Sequence, residues 1–132
     1  MLRFSQYPNQ PQPKNAEDYY DLAQACAAAE DYKQAVGAYS SSLELRPNHR
    51  DTINNRGIAL AHLGRFEEAL MDFNRSLELS PNDPELLNNR GIALFHLDRF
   101  EEAVGDHSRC MELSTADTET LNNRGNALAR LG

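Results

Sequence analysis

Apolar residues recur every three or four positions along most of the chain, which is the spacing of helices with one buried face. The run that begins with Ile53, Gly57 and Leu60 and resumes at Phe66 and Phe73 shows this period on both sides of a short break. From residue 16 onward the pattern predicts seven helices, near residues 16–29, 32–45, 50–63, 66–79, 84–97, 100–113 and 118–131. Residues 1–15 hold three prolines and little apolar content, which predicts an extended Pro/Gln-rich tail.

The pattern returns every 34 residues. The stretch NNRGIALAHLGRFEEAL, which begins at Asn54, matches NNRGIALFHLDRFEEAV, which begins at Asn88, at 14 of 17 positions. A third copy, NNRGNALARLG, begins at Asn122. The sequence therefore predicts one repeat domain over residues 16–132, with units at 16–49, 50–83 and 84–117 and a partial unit at 118–132.

Each complete unit is predicted to form a helical hairpin, with residues that end one helix and start the next. Gly64 suits the left-handed position that ends a helix, and Asp98 takes the same role less easily. Asp83 is a good N-cap, and Pro84 suits the first helical position.

These units resemble the tetratricopeptide repeat (TPR) family. The second unit carries the family's small, apolar and proline positions as Ile53, Arg56-Gly57, Leu60, Ala69, Phe73 and Pro81. Arg56, Arg90 and Arg124 stand where leucine is usual, and we expect their stems to cover apolar surface while their heads reach water. His107 stands where phenylalanine is usual. The resemblance implies an all-α superhelix (solenoid) of three hairpins plus one C-terminal helix, with the first helices lining a concave groove.

Composition narrows the function. The net charge of −7 disfavours nucleic acid as a partner and favours a neutral or basic peptide. No apolar run is long enough to span a membrane, and Cys26 and Cys110 lack metal-type spacing, so we expect a cytoplasmic protein with reduced thiols. No phosphate loop, nucleophile motif or metal cluster is present in the sequence, which predicts a non-catalytic protein without cofactors.

The repeated asparagine pair is the main candidate for binding chemistry. The resemblance implies that Asn55, Asn89 and Asn123 face the groove, where an amide can both donate to and accept from a peptide backbone. The alternative is that these amides hydrogen-bond neighbouring helices and have a structural role. The predicted peptide-binding residues are Tyr20, Gln24, Asn54, Asn55, Ile58, His62, Asn88, Asn89, Ile92, Phe95, His96, Asn122, Asn123 and Asn126.

Other features limit what the groove can bind. Some family members grip the C-terminal carboxylates of chaperones, but Tyr20 and Glu85 occupy the matching lysine positions, so we do not expect that activity here. His62 and His96 lie one repeat apart, which is too far for them to share a metal ion. Acidic residues are expected along the groove's edge at Glu17, Asp51, Glu85 and Glu119.

The partial fourth unit suggests two alternative functions. Leu121, Leu128 and Leu131 keep the apolar pattern of an internal unit, although no second helix follows them in this sequence. Either the leucines form a homodimer interface in a structural scaffold, or the sequence is the N-terminal fragment of a longer TPR array or a TPR-containing enzyme.

Overall fold

A computed structural model describes residues 12–114 and 118–132. This part of the chain forms seven α-helices: α1 (Ala16–Ala28), α2 (Tyr32–Leu45), α3 (Arg50–His62), α4 (Phe66–Leu79), α5 (Pro84–His96), α6 (Phe100–Leu113) and α7 (Thr118–Leu131). The predicted all-α fold is confirmed, and every helix begins at the predicted residue. Helices α1, α3 and α5 end one residue earlier than predicted.

The turn inside each hairpin contains a residue with positive φ. These residues are Glu30, Gly64 and Asp98, with φ of 59°, 75° and 60°. Around Gly64 the backbone makes the paired bonds of a Schellman motif, in which Arg65 N donates to Leu60 O and Gly64 N donates to Ala61 O, both at 2.9 Å. The predicted helix stops at Gly64 and Asp98 are therefore confirmed.

The helix starts follow the sequence signals as well. Asp83 Oδ1 accepts a hydrogen bond from Glu85 N at 3.0 Å, and Pro84 occupies the first turn of α5. Asn15 caps α1 by accepting from Asp18 N at 2.9 Å. Residues 1–11 of the predicted tail lie outside the described residues, and Pro13 within the described part is buried.

Each complete hairpin closes on a small residue. A Cβ added to Gly57 in α3 would lie 2.7 Å from Cε1 of Phe73 in α4, and one added to Gly91 in α5 would lie 2.6 Å from Cε1 of His107 in α6. Both distances are shorter than van der Waals contact, so only glycine allows the ring to approach this closely. Ala23 holds the same position in the first hairpin and is completely buried beside Tyr39.

Neighbouring hairpins are joined by an alanine from the following first helix. Ala59 belongs to the core of the first hairpin, Ala93 clusters with Leu60 and Phe73, and Ala127 clusters with Leu94 and Ala103. The three alanines are spaced 34 residues apart and are at most 1% exposed. The core is therefore a continuous series of clusters that runs through the stack. Cys26 and Cys110 are both buried, and no disulfide joins them.

An arginine–aspartate pair bridges the helices of the second and third hairpins. Arg56 donates to both carboxylate oxygens of Asp72, at 2.8 and 2.7 Å. Arg90 does the same to Asp106, at 2.7 Å for both bonds. The arginine head was expected to reach water, but the Arg56 side chain is only 28% exposed and the Asp72 side chain only 8%. Hydrogen bonding to Asp72 raises the pKa of Arg56, which is therefore charged at every physiological pH.

The first hairpin fills the same two positions with an apolar pair. Leu22 and Ala38 lie 34 residues before Arg56 and Asp72, and they are 2% and 0% exposed. The repeat thus accepts either an apolar pair or a bidentate ion pair at this crossing.

This equivalence predicts an asymmetric mutational pattern. Arg56→Leu leaves the buried Asp72 carboxylate without its bidentate guanidinium partner and should lower the free energy of unfolding by about 3 kcal/mol. Asp72→Ala should cost less, because the partly exposed Arg56 head can turn to water. The double variant Arg56→Leu/Asp72→Ala reproduces the pair in the first hairpin and should be within about 1 kcal/mol of wild type. Urea unfolding of all four proteins measures this, and a double variant less stable than Arg56→Leu would contradict it.

Candidate functional site

The candidate site is the face formed by the first helices α1, α3, α5 and α7, which we call the first-helix face. Helix α3 contacts α5, α5 contacts α7, and Asn55 of α3 is hydrogen-bonded to Tyr20 of α1, so the four helices form a continuous row. All the predicted peptide-binding residues are carried by the four helices of this row. The 34-residue repeat places equivalent side chains side by side along it.

The asparagine pairs connect one repeat to the next. Asn89 Nδ2 donates to Asn54 Oδ1 at 3.1 Å, and Asn123 Nδ2 donates to Asn88 Oδ1 at 3.3 Å. The first asparagine of each pair accepts from the second asparagine of the following pair. Asn54 is buried at 7% exposure, whereas Asn55, Asn89 and Asn123 are half-buried and Asn122 is exposed. A structural role is therefore present in the geometry, while the predicted peptide contact stays a prediction.

The first repeat continues this ladder with a tyrosine. Asn55 Nδ2 donates to the hydroxyl of Tyr20 at 3.1 Å, and Tyr20 precedes Asn54 by one repeat. The Tyr20 ring makes an edge contact with Tyr39, and the Tyr39 hydroxyl donates to Gln24 Oε1. Burial raises the pKa of Tyr39 to about 12, with smaller contributions of the same sign from Tyr20 and Cys26. Tyr20 and Gln24 therefore have partners within the first hairpin and its neighbour.

A second connection between repeats consists of stacked rings. His62 stacks on Tyr32 with ring centroids 4.2 Å apart, and His96 stacks on Phe66 at 4.3 Å. One repeat further, the guanidinium of Arg130 lies 5.5 Å from the ring centroid of Phe100. His62 and His96 were predicted as binding residues, but their stacking was not predicted. A signal for it was present in the sequence, because the histidines and the aromatic residues both repeat at 34 positions.

His107 is the most unusual polar residue among those described. Its side chain is completely buried, and neither Nδ1 nor Nε2 has a hydrogen-bond partner. Burial lowers its pKa below the ordinary value of 6.5, and Asp106 acts in the opposite direction. Leaving such a group unsatisfied costs about 1–3 kcal/mol. Packing alone does not require a histidine here, because the apolar Phe73 fills the same position one repeat earlier and is equally buried.

A cavity of about 150 Å³ lies beside His107 at the C-terminal end of the first-helix face. It brings together five of the predicted binding residues with one that the sequence did not predict. The lining residues are Ile92, Phe95, His96, His107, Asn123 and Asn126. Helices α5, α6 and α7 all contribute to this wall, so the cavity depends on the packing of the fourth repeat against the third.

Two larger cavities lie beside the arginine–aspartate pairs and are equivalent by the repeat. Their volumes are about 260 and 300 Å³. Arg56 and Arg65 line the first, and both are ion-paired, with Asp72 and Glu68 respectively. Because these charges already neutralise each other, the two cavities are weaker candidates for binding.

One edge of the first-helix face is acidic. Glu17, Asp51, Glu85 and Glu119 each lie in the first turn of a first helix, and all four are exposed. All four interact favourably with the positive end of the helix dipole. Asp51 is paired with Arg50 at 2.7 Å, so the negative field of this edge comes mainly from Glu17, Glu85 and Glu119.

The apolar side chains of α7 differ in burial from their counterparts in α5. Leu121, Leu128 and Leu131 are 45%, 47% and 47% exposed, whereas Leu87 and Leu94 are 5% and 3% exposed. In α5 these positions are covered by α6, and no described residue covers them on α7 in the same way. The predicted self-association through these leucines stays a prediction.

Two further features are absent from the described residues. No group of three or more His, Cys, Asp or Glu side chains in residues 12–114 and 118–132 is placed to hold a metal ion. Across the same ranges, no helix has the length and apolarity needed to cross a membrane.

Two family models match the chain, and both are described as tetratricopeptide repeat. They match residues 22–84 and 73–105, which together cover more than half of the sequence. Among curated proteins, none matches the chain.

Solved structures show the same architecture. The first TPR of Spaghetti (RPAP3), bound to the HSP90 peptide SRMEEVD, is 24% identical with a TM-score of 0.85, over 93% of this chain and 98% of that one. The first TPR domain of human RPAP3 is 25% identical with a TM-score of 0.81, over 88% and 91%. The TPR2B domain of yeast Sti1, in complex with pHsp70, is 21% identical with a TM-score of 0.82, over 87% and 97%.

The asparagine ladder can be tested as a structural element by a double-mutant cycle. Asn54→Ala and Asn89→Ala each remove one partner of the same hydrogen bond, so the two losses should not add. We expect a coupling free energy of about 0.5–1.5 kcal/mol from urea unfolding of the single and double variants. The pair Asn54→Ala and Asn123→Ala, which share no hydrogen bond, serves as the control and should be additive. A coupling near zero for Asn54 and Asn89 would contradict the structural role.

Proposed function

The chain belongs to the tetratricopeptide repeat family, and on this basis we propose that it is a protein-interaction module that binds a peptide segment of a partner protein along its first-helix face. The observation that carries the proposal is the alignment of equivalent side chains on neighbouring first helices. First helices lie roughly 10 Å apart in such packing, and an extended peptide advances about 3.3 Å per residue. About every third residue of a bound peptide would therefore meet an equivalent set of side chains on the next first helix.

The asparagine ladder is compatible with a bound peptide. Each carboxamide has two N–H donors and an oxygen with two lone pairs. In Asn89 one N–H is used in the bond to Asn54, which leaves a second N–H and the oxygen for a ligand backbone. Asn55 and Asn123 have the same remaining capacity, because each also donates to the preceding repeat. The half-buried Ile58 and Ile92 supply apolar surface between the amides.

Charge indicates which peptides are favoured. The solved relatives include complexes with peptides of HSP90 and Hsp70, and the HSP90 peptide SRMEEVD is acidic. Here Glu85 is exposed at the edge of the first-helix face, where it would repel such a ligand. We therefore propose a neutral or basic peptide as the partner, with the acidic edge steering its approach.

A random twelve-residue peptide library displayed on phage tests this proposal. The selected peptides should be neutral or basic, and their binding should shift amide resonances of α3, α5 and α7. Glu85→Lys/Glu119→Lys should weaken their binding roughly tenfold at low salt and much less at high salt, because exposed charges are screened. Glu67→Lys/Glu101→Lys makes the same charge change on exposed residues of the second helices and should have little effect. Enrichment of no peptide, or shifts confined to α2, α4 and α6, would contradict the proposal.

The exposure of Leu121, Leu128 and Leu131 favours self-association as a second candidate function. Two copies of the chain would cover these leucines by packing α7 of one copy against α7 of the other in an isologous contact. Sedimentation at increasing protein concentration should then show a dimer that Leu128→Glu abolishes. The control Met71→Glu alters an exposed apolar residue on α4 and should leave the dimer intact. A wild-type protein that stays monomeric at high concentration would exclude this function.

A further inference from the structure

In the third hairpin, two neighbouring positions on the paired helices differ in polarity. Tyr39, Phe73 and His107 hold equivalent positions on the second helices of the three hairpins. Gln24, Ile58 and Ile92 hold equivalent positions on the first helices. In the first hairpin both members are polar, and Tyr39 donates to Gln24. In the second hairpin Phe73 and Ile58 are both apolar. In the third hairpin a polar His107 faces a position held by Ile92, which has no group to hydrogen-bond it.

The cavity supplies the environment that the hairpin itself does not. Ile92 and Phe95 form apolar parts of its wall, whereas Asn123 and Asn126 bring carboxamides from α7. His107 contributes a completely buried imidazole whose two nitrogens have no partner among the described residues. A cavity of about 150 Å³ is also the size of an engineered apolar cavity that holds a benzene molecule. The space therefore fits one side chain of medium size.

We propose that this cavity is a specificity subsite of the first-helix face, which accepts one uncharged side chain with a hydroxyl or carboxamide tip and hydrogen-bonds that tip to His107. This inference rests on the proposed function, because it concerns a residue of the same bound peptide. An apolar ligand side chain would leave the imidazole nitrogens unsatisfied. A charged ligand side chain would have to lose its water inside the cavity.

The protonation state of His107 agrees with an uncharged ligand. Because burial lowers its pKa, the imidazole is neutral at neutral pH and offers one N–H donor and one nitrogen acceptor. Hydroxyl and carboxamide groups also carry both functions, so either can match the ring. The rim amides of Asn123 and Asn126 can complete the hydrogen bonding of a carboxamide.

Small fragments test the subsite without requiring a peptide. Phenol and propionamide are the uncharged polar probes, toluene is the apolar match for phenol, and propionate is the charged match for propionamide. Both polar probes should shift the His107 imidazole nitrogens and the side-chain amides of Asn123 and Asn126 in NMR titrations. We expect phenol to bind roughly two- to tenfold more tightly than toluene, and propionamide to bind more tightly than propionate.

His107→Phe is the decisive variant, and it should fold because Phe73 occupies the equivalent position against Gly57. In this variant toluene should bind at least as well as phenol. Tyr32→Phe removes a hydroxyl group outside the cavity and keeps an aromatic ring stacked on His62, so it should retain the wild-type preference. Equal binding of toluene and phenol to wild type, or no fragment shift at His107, would overturn the proposal.

Repeating the peptide selection with His107→Phe separates the subsite from the function of the whole face. Peptides selected by wild type should share one position rich in Asn, Gln, Ser, Thr or Tyr, and the variant should replace it with apolar residues. Peptides that bind both proteins without this difference would overturn the subsite while leaving the module intact. Selection of no peptide, together with the expected fragment preferences, would overturn the peptide-binding function and leave the subsite standing.

Discussion

The close approach of an aromatic ring to a glycine backbone fixes the geometry of the second and third hairpins. Phe73 lies against Gly57, and His107 lies against Gly91. The arginine–aspartate pairs depend on this contact, because Arg56 and Asp72 are the immediate chain neighbours of Gly57 and Phe73. A side chain at the glycine would push the helices apart and lengthen both hydrogen bonds of the fork. The apolar contact and the ion pair therefore stabilise the same helix crossing.

Different interactions join one hairpin to the next. Alanines from each following first helix enter the preceding core, asparagine side chains bond along the first-helix face, and histidines stack on the rings of the preceding repeat. Each of these interactions reaches only the adjacent repeat. This arrangement leaves the rest of the first-helix face available for a ligand, since the bonds that hold the stack use only part of each amide's capacity.

The sequence predicted the helices, the turns at Gly64 and Asp98 and the cap at Asp83, because these depend on local backbone chemistry. The arginine fork was missed because its two residues lie 16 positions apart on different helices. The joint change from Leu22 and Ala38 to Arg56 and Asp72 could have revealed it. The histidine stacking was missed for the same reason. The lack of hydrogen-bond partners for the His107 nitrogens among the described residues could not be predicted, because it depends on which side chains surround the ring in three dimensions.

Helix α7 is held differently from the other first helices. It packs on α6 and contacts α5, but its Leu128 side is open to solvent in the described structure. In terms of local unfolding, a helix with buried contacts on one side opens at a lower free energy than one enclosed on both sides. Because α7 supplies Asn123 and Asn126 to the cavity wall, its opening exposes the His107 ring to solvent without unfolding the hairpin that carries it. Amide exchange in α7 would therefore report on access to the cavity.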